Sequence, residues 1–326
     1  MNSPTETASG STSGPLAWMG ITKSALGDRL FHALTAFFAF LILFLAFLTA
    51  FTLFKAAGLS IHTMGWKFLT TQDWDPVNQV FGSVSFVYGT LMSSLLALLI
   101  ATPLGLGISL FLTELAPQKL REPVAFIIEI LAAIPSVVYG LWGIFMLAPF
   151  MRVYVDPILM KIPGPFFKGP STGLSLLTAG VILAIMILPT ITAISREVFE
   201  AVPNPFRESA RALGATSWET MSLAVLKPSK VGVLGAVMLA LGRALGETMA
   251  VTMVIGNTPL VSANLLAPSH SMASVIANEF SEANSDLYIS ALAEIGLLLM
   301  AITLVLNIVA NLLVWVTTKK FQTGKA

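Results

Sequence analysis

The sequence predicts an all-α polytopic membrane protein with six transmembrane helices. Three observations predict it. Of the 326 residues, 56% are hydrophobic and only 11% are charged, and the mean hydropathy is +0.84, well outside ordinary soluble domains. Six apolar segments are long enough to cross a bilayer, which takes about 20 residues for ~30 Å of hydrocarbon: Phe31–Phe54, Phe86–Leu112, Val124–Phe150, Leu174–Ile194, Val231–Ile255 and Leu287–Val316. Lys and Arg are excluded from these segments except for Arg243, and they are shared unevenly among the connecting stretches.

Residues 1–30 are rich in Ser, Thr and Gly ahead of Pro15 and read as a disordered tail. The run Phe31–Phe54 is longer than the apolar core of a signal peptide, so it reads as the first membrane span. Residues 55–85 form a loop whose Trp66 and Trp74 suit the bilayer surface or the docking of an external partner. The core, 86–316, holds five further spans, some of them containing Pro103, Pro135 or Pro189, residues that kink or end helices. With the N-terminus on the cytoplasmic side, twelve Lys and Arg fall on cytoplasmic segments and five on external ones, out of 18. The excess of basic residues on the inner side predicts that both termini, including a short tail over 317–326, are cytoplasmic.

Composition excludes several function classes. A net charge of +1 gives no global field for nucleic acid. There is no cysteine, and His32, His62 and His270 lie far apart without ligand spacing, so no metal or cofactor is expected. No G-x-x-x-x-G-K-[ST] pattern occurs. Any ATP hydrolysis belongs to another chain, and the protein reads as a non-enzyme.

Between spans four and five lies a polar, helix-prone stretch. Asn204-Pro205 suits a helix start, and Gly214 suits the left-handed residue beyond a helix end. Thr216-Ser217-Trp218-Glu219 matches a capping box. The spacing predicts two short helices over 203–222 joined by a glycine elbow, a stiff lever between two membrane spans.

Span five carries the charges. Arg243 lies 12 residues into Val231–Ile255, or ~18 Å along a helix and so near mid-bilayer. Glu247 follows at i+4, where the two side chains can meet. Ala236, Ala240 and Ala250 share that face, with Gly242 and Gly246 beside it. A lone charge at mid-bilayer costs about 2.5–3.5 kcal/mol on insertion scales, and such residues are functional by default. A planar guanidinium suits an oxyanion. A carboxylate beside it can accept from hydrogenphosphate, which carries a hydroxyl, whereas sulfate has none. An ion pair locking two helices is the plainer alternative. Glu129, near the start of its span, suits the interface. Glu294 can neighbour the pathway or pair with Arg243.

The motif RESARALG at 207–214 resembles the EAA loop of ABC importer permeases, placing Glu208, Ser209, Ala210 and Gly214 on its E-A-A-x-x-x-G pattern. Ser209 replaces an alanine, and Lys227 stands where the pattern has proline, with Pro228 one residue late. GRALGETMAV at 242–251, LAAIPSVVYGLWG at 131–143 and DWDP at 73–76 are similar to the phosphate-specific permeases of that class, C-type subunit. The resemblance implies a type I ABC importer permease architecture, with the EAA helix docking on an ATP-binding subunit. It also implies a sister permease, an ATP-binding subunit dimer, an external phosphate-binding protein, inorganic phosphate as cargo and a bacterial inner membrane as setting. A sulfate or molybdate ABC importer permease and a stand-alone secondary anion transporter remain as alternatives.

Overall fold

The computed structural model describes residues 25–169 and 171–322, with side chains from residue 27 to 316. The tail expected over 1–30 lies outside the described residues as far as residue 24, and that over 317–326 does so from 323. Helix α1 (Ala25–Ala56) already takes in residues 25–30, and the last helix runs on through Gln322.

Six helices are long and apolar enough to span a membrane: Gly27–Ala56, Val84–Leu115, Ser136–Leu159, Leu176–Glu200, Ser217–Leu245 and Asp286–Val316. Among the described residues there is no strand, only an isolated bridge between Asp75 and Val80. The chain divides after Thr52 into two units. The described residues of the first belong to α1, with Phe, Leu and Ile side chains exposed along it. A helix apolar on every side is stable in lipid, where its backbone groups are satisfied internally.

The second unit begins with two short helices, α2 (Gly58–Met64) and α3 (Lys67–Thr70), in the stretch expected to be a loop. Next come α4 (Val84–Leu115), whose last turn, Phe111–Leu115, is π-helical, and α5 (Gln118–Ala133). Helix α6 (Ser136–Leu159) is followed by turns and bends, and then by α7 (Leu176–Glu200). Then follow α8 (Asn204–Ala212), α9 (Ser217–Leu245), α10 (Met249–Val254), α11 (Met272–Glu279) and α12 (Asp286–Gln322).

Helices α4 and α7 form the centre. Lipid offers no hydrophobic drive between helices, so close approach through small residues decides their packing. Ala97 and Ala101 on α4 and Ala179 on α7 are fully buried. At Gly180 an added Cβ would come within 2.8 Å of Leu96, and at Gly105 within 2.8 Å of Ile191. Ser175 caps α7, its hydroxyl accepting from the Thr178 amide. The amides of Ser175, Leu176 and Leu177 donate to the carbonyls of Val254, Ala267 and Leu265, so the loop after α10 satisfies that helix start.

A second core, of Phe68, Phe81, Phe86 and Tyr288, lies where α3, α4 and α12 begin. Trp74 packs edge-on against Phe81 and Phe86, both at 4.8 Å between ring centroids. Its indole N–H donates to Glu279 Oε2 at 2.7 Å. Trp74 is half-buried and packs onto this core, while Trp66 is 85% exposed.

Two expected spans are displaced. Val124–Phe150 is divided at Ile134–Pro135, both in extended conformation, because Pro135 lacks an amide and disfavours helix in the residue before it. The third span is Ser136–Leu159, and Glu129 sits exposed on the separate α5. Pro103 and Pro189, by contrast, stay inside α4 and α7. The fifth span begins earlier than expected and ends at Leu245, so Val231–Ile255 is not one helix.

Candidate functional site

Two constellations carry chemistry. The first is built around α8. The helix starts at Asn204 with Pro203 as its cap, one residue earlier than the sequence suggests. It ends in Leu213 and Gly214, the latter at φ +85°, a conformation that costs glycine little. The capping box forms: Thr216 Oγ1 accepts from the Glu219 amide, and Glu219 Oε2 accepts from the Thr216 amide at 2.8 Å. The helix it starts is not short. It passes through a π-helical stretch, Met221–Leu226, and continues unbroken to Leu245. The stretch is therefore one short helix joined by its elbow to a membrane-length helix.

Glu208, Ser209 and Gly214 are exposed, and Ala210 is half-buried. Leu213 is 89% exposed and Trp218 65%.

Arg207, also on α8, is held by several partners. Its Nε donates to Glu114 Oε1 at 2.9 Å, with both side chains largely buried. Nη2 donates to the Phe199 carbonyl at 2.8 Å, and Nη1 donates to the Val202 carbonyl. Sequence reasoning did not pick out this pair. The partners are 93 residues apart, and no local spacing joins them.

The second constellation surrounds Arg243, two residues from the end of α9. Arg243 Nη1 donates to Thr190 Oγ1 at 3.3 Å. The two line a cavity of about 430 Å³ together with Met238, Leu239, Gly242 and Asn307. Thr190 stands roughly 21 Å from Leu176 and 15 Å from Glu200 at 1.5 Å per residue, so Arg243 reaches the middle of α7. Asn307 was passed over in the sequence, although an amide within an apolar span was a visible signal.

The expected contact between Arg243 and Glu247 does not form. The helix stops at Leu245, and Gly246–Thr248 break the i+4 register that would have aligned the two. Glu247 Oε1 instead accepts from the Ala250 amide at 3.3 Å, at the start of α10. Arg196–Glu200 and Arg207–Glu114 do form ion pairs. Glu294 does not pair with Arg243 either. It is 9% exposed and faces Ser60 of α2. Asn307, which does reach the cavity, lies roughly 20 Å further along α12.

Known proteins place this arrangement. Residues 101–320 match the family described as binding-protein-dependent transport system inner membrane component. The chain is 47% identical over 297 residues to the phosphate transport system permease protein PstC of Mesorhizobium japonicum, covering 89% of this chain and 91% of that one. It is 47% identical over 299 residues to PstC of Pasteurella multocida, covering 90% and 93%. Among solved structures, the fold is similar to that of the MetNI methionine ABC transporter in an inward-facing conformation. That match has a TM-score of 0.55 and 20% identity over 72% of this chain and 95% of the other. A bacterial alginate ABC transporter gives 0.55 and 17% over 91% and 96%. The chain belongs to the binding-protein-dependent transport system inner membrane components and, within them, to the PstC-type permease proteins of phosphate transport systems.

Proposed function

We propose that this chain is a transmembrane subunit of an ATP-driven importer of inorganic phosphate and lines the translocation pathway with a sister permease. The observation that carries the reading is the 47% identity to PstC permeases along nearly the whole chain. A stand-alone transporter is disfavoured by the same relationship, and a sulfate or molybdate importer by the name those relatives share.

In this reading both termini, α8 and the elbow at Gly214 are cytoplasmic. Glu208, Ser209, Ala210 and Gly214 form the face that meets one subunit of an ATP-binding dimer, with Leu213 and Trp218 buried in that contact. The opposite end of the helices meets an external phosphate-binding protein. ATP binding and release move α8, and the spans alternate between outward and inward access.

Arg243 is the anion contact. A guanidinium has five N–H donors, and the Thr190 hydroxyl occupies one of them without neutralising the charge. A tetrahedral anion entering the cavity takes the remaining donors. Asn307 contributes a neutral amide opposite. Glu247 does not line this cavity; with one oxygen on the Ala250 amide, it meets the hydroxyl of hydrogenphosphate further along the pathway, at the start of α10. Glu294 belongs to the contact between α2 and α12, outside the pathway.

The test is uptake of labelled phosphate by cells whose only phosphate importer contains this chain, with a tenfold excess of sulfate as competitor. Uptake unchanged by sulfate supports the reading. Competition by sulfate favours the alternative cargo. Purification from the same membranes, followed by mass spectrometry, should recover an ATP-binding subunit.

A further inference from the structure

We propose that Arg207 is a positioning residue that ties the docking helix to the anion site, by holding α8 to the end of α7, the helix that carries Thr190. The inference rests on the importer reading above and adds to it the route by which ATP-driven motion reaches the cargo.

No residue of α8 is fully buried. A helix of nine residues is marginal by itself, and a push on it would be lost in bending unless something stiff receives it. Arg207 is that attachment. Its guanidinium lies in a largely buried setting and meets three elements at once. Nε donates to Glu114 in the π-helical last turn of α4. Nη2 donates to the Phe199 carbonyl in the last turn of α7. Nη1 donates to Val202 in the link between α7 and α8, and to Asn204 Oδ1 at 3.4 Å. A helix end leaves its last carbonyls unpaired and carries partial negative charge, so a cation there caps α7 as well as bridging to it. Charge-assisted, forked hydrogen bonds in a low-dielectric setting are the strong, directional kind.

Helix α7 is the rod that receives the push. It packs along α4 at glycine-mediated distances, which leaves little room for the pair to slide. Ten residues before its end it presents Thr190 to Arg243. Displacement of α8 is thereby converted into displacement of α7 and α4 together, and changes what Arg243 can hold. A lysine cannot replace this arginine. Its ammonium has no planar fork with which to reach Glu114 and the two carbonyls at once.

The test uses the whole importer, co-expressed and reconstituted in liposomes, with Arg207→Lys and, separately, Glu114→Gln. ATP hydrolysis is measured per assembled complex with and without the phosphate-loaded binding protein. For both variants the expected result is normal assembly and basal hydrolysis. The ratio of stimulated to basal hydrolysis should fall about tenfold, within the usual span of coupling between sites, with phosphate delivered per ATP falling alongside. An unchanged ratio in Arg207→Lys overturns the proposal. So does a fall in membrane abundance with normal transport per complex, since that outcome means the pair only supports folding. If the wild-type chain recovers no ATP-binding subunit, the importer reading itself fails, and that control is independent of the variants.

Discussion

Arg243 and Thr190 meet across 3.3 Å, from Nη1 of the one to Oγ1 of the other, at the middle of α7. The partner of this cation is therefore a neutral hydroxyl and not a carboxylate. An arginine locked in a buried ion pair would spend its charge on the protein. This one keeps its charge directed into a cavity of about 430 Å³. The break at Gly246–Thr248 brings this about, by carrying Glu247 away to the start of α10.

The elbow gives a first prediction. Gly214 has φ +85°, and an added Cβ there meets nothing within 4 Å. The cost of a side chain is therefore conformational, roughly 1–2 kcal/mol for an ordinary L-residue in the left-handed region. Asn enters that region more readily than Val. Gly214→Asn should keep the ATP-binding subunit in co-purification, and Gly214→Val should lose most of it while the chain stays in the membrane. Equal recovery from both would remove the elbow from the docking account.

Gly89 on α4 gives a second. A Cβ there would overlap the carbonyl oxygen of His270, a backbone atom in a loop that also closes the start of α7. Overpacking of this kind costs about 1–3 kcal/mol. Gly89→Ala should lower the melting temperature in detergent, whereas Gly107→Ala, at a position with open space around it, should not.

His270 gives a third, in pH. The ring is buried against Phe86 at 5.3 Å, and its Nδ1 has no hydrogen-bond partner. Desolvation pushes its pKa down to about 4, opposed by a hydrogen bond to the Ser271 backbone. The unfolded chain takes up this proton near pH 6.5, and the folded one only near 4. Stability from this group is complete above pH 6.5 and falls as pH drops toward 4, by roughly 3 kcal/mol in total. Melting temperature measured between pH 7.5 and 5 should fall in the wild type. The fall should be shallower in His270→Gln, and parallel curves would contradict the assignment.

Much of this was legible in the sequence, and the misreadings have physical causes. Apolar runs found all six spans, because lipid imposes length and composition on each. The elbow and the helix start after it were readable because Gly214 and the Thr216–Glu219 box are local signals, complete within a few residues. The third and fifth spans were misplaced because hydropathy runs smoothly across Ile134–Pro135 and across Gly246–Thr248. Pro103 and Pro189 show that proline alone does not decide, since both stay helical. What sequence could not supply was contact at long range. Glu114 with Arg207, Trp74 with Glu279 and Thr190 with Arg243 are pairs made by the packing of helices far apart in the chain.

The most direct measurement is phosphate uptake by Arg243→Gln, normalised to membrane abundance, beside Glu247→Gln and the double variant. Gln keeps the polar contact with Thr190 and removes the charge. Because Arg243 and Glu247 are not paired, Arg243→Gln should leave no orphaned carboxylate, and abundance should stay near wild type. Uptake should fall at least tenfold, about 1.4 kcal/mol of lost anion stabilisation, in both the single and the double variant. Full uptake in the double variant, or a loss of abundance in Arg243→Gln that Glu247→Gln restores, would show a structural ion pair and contradict the anion site.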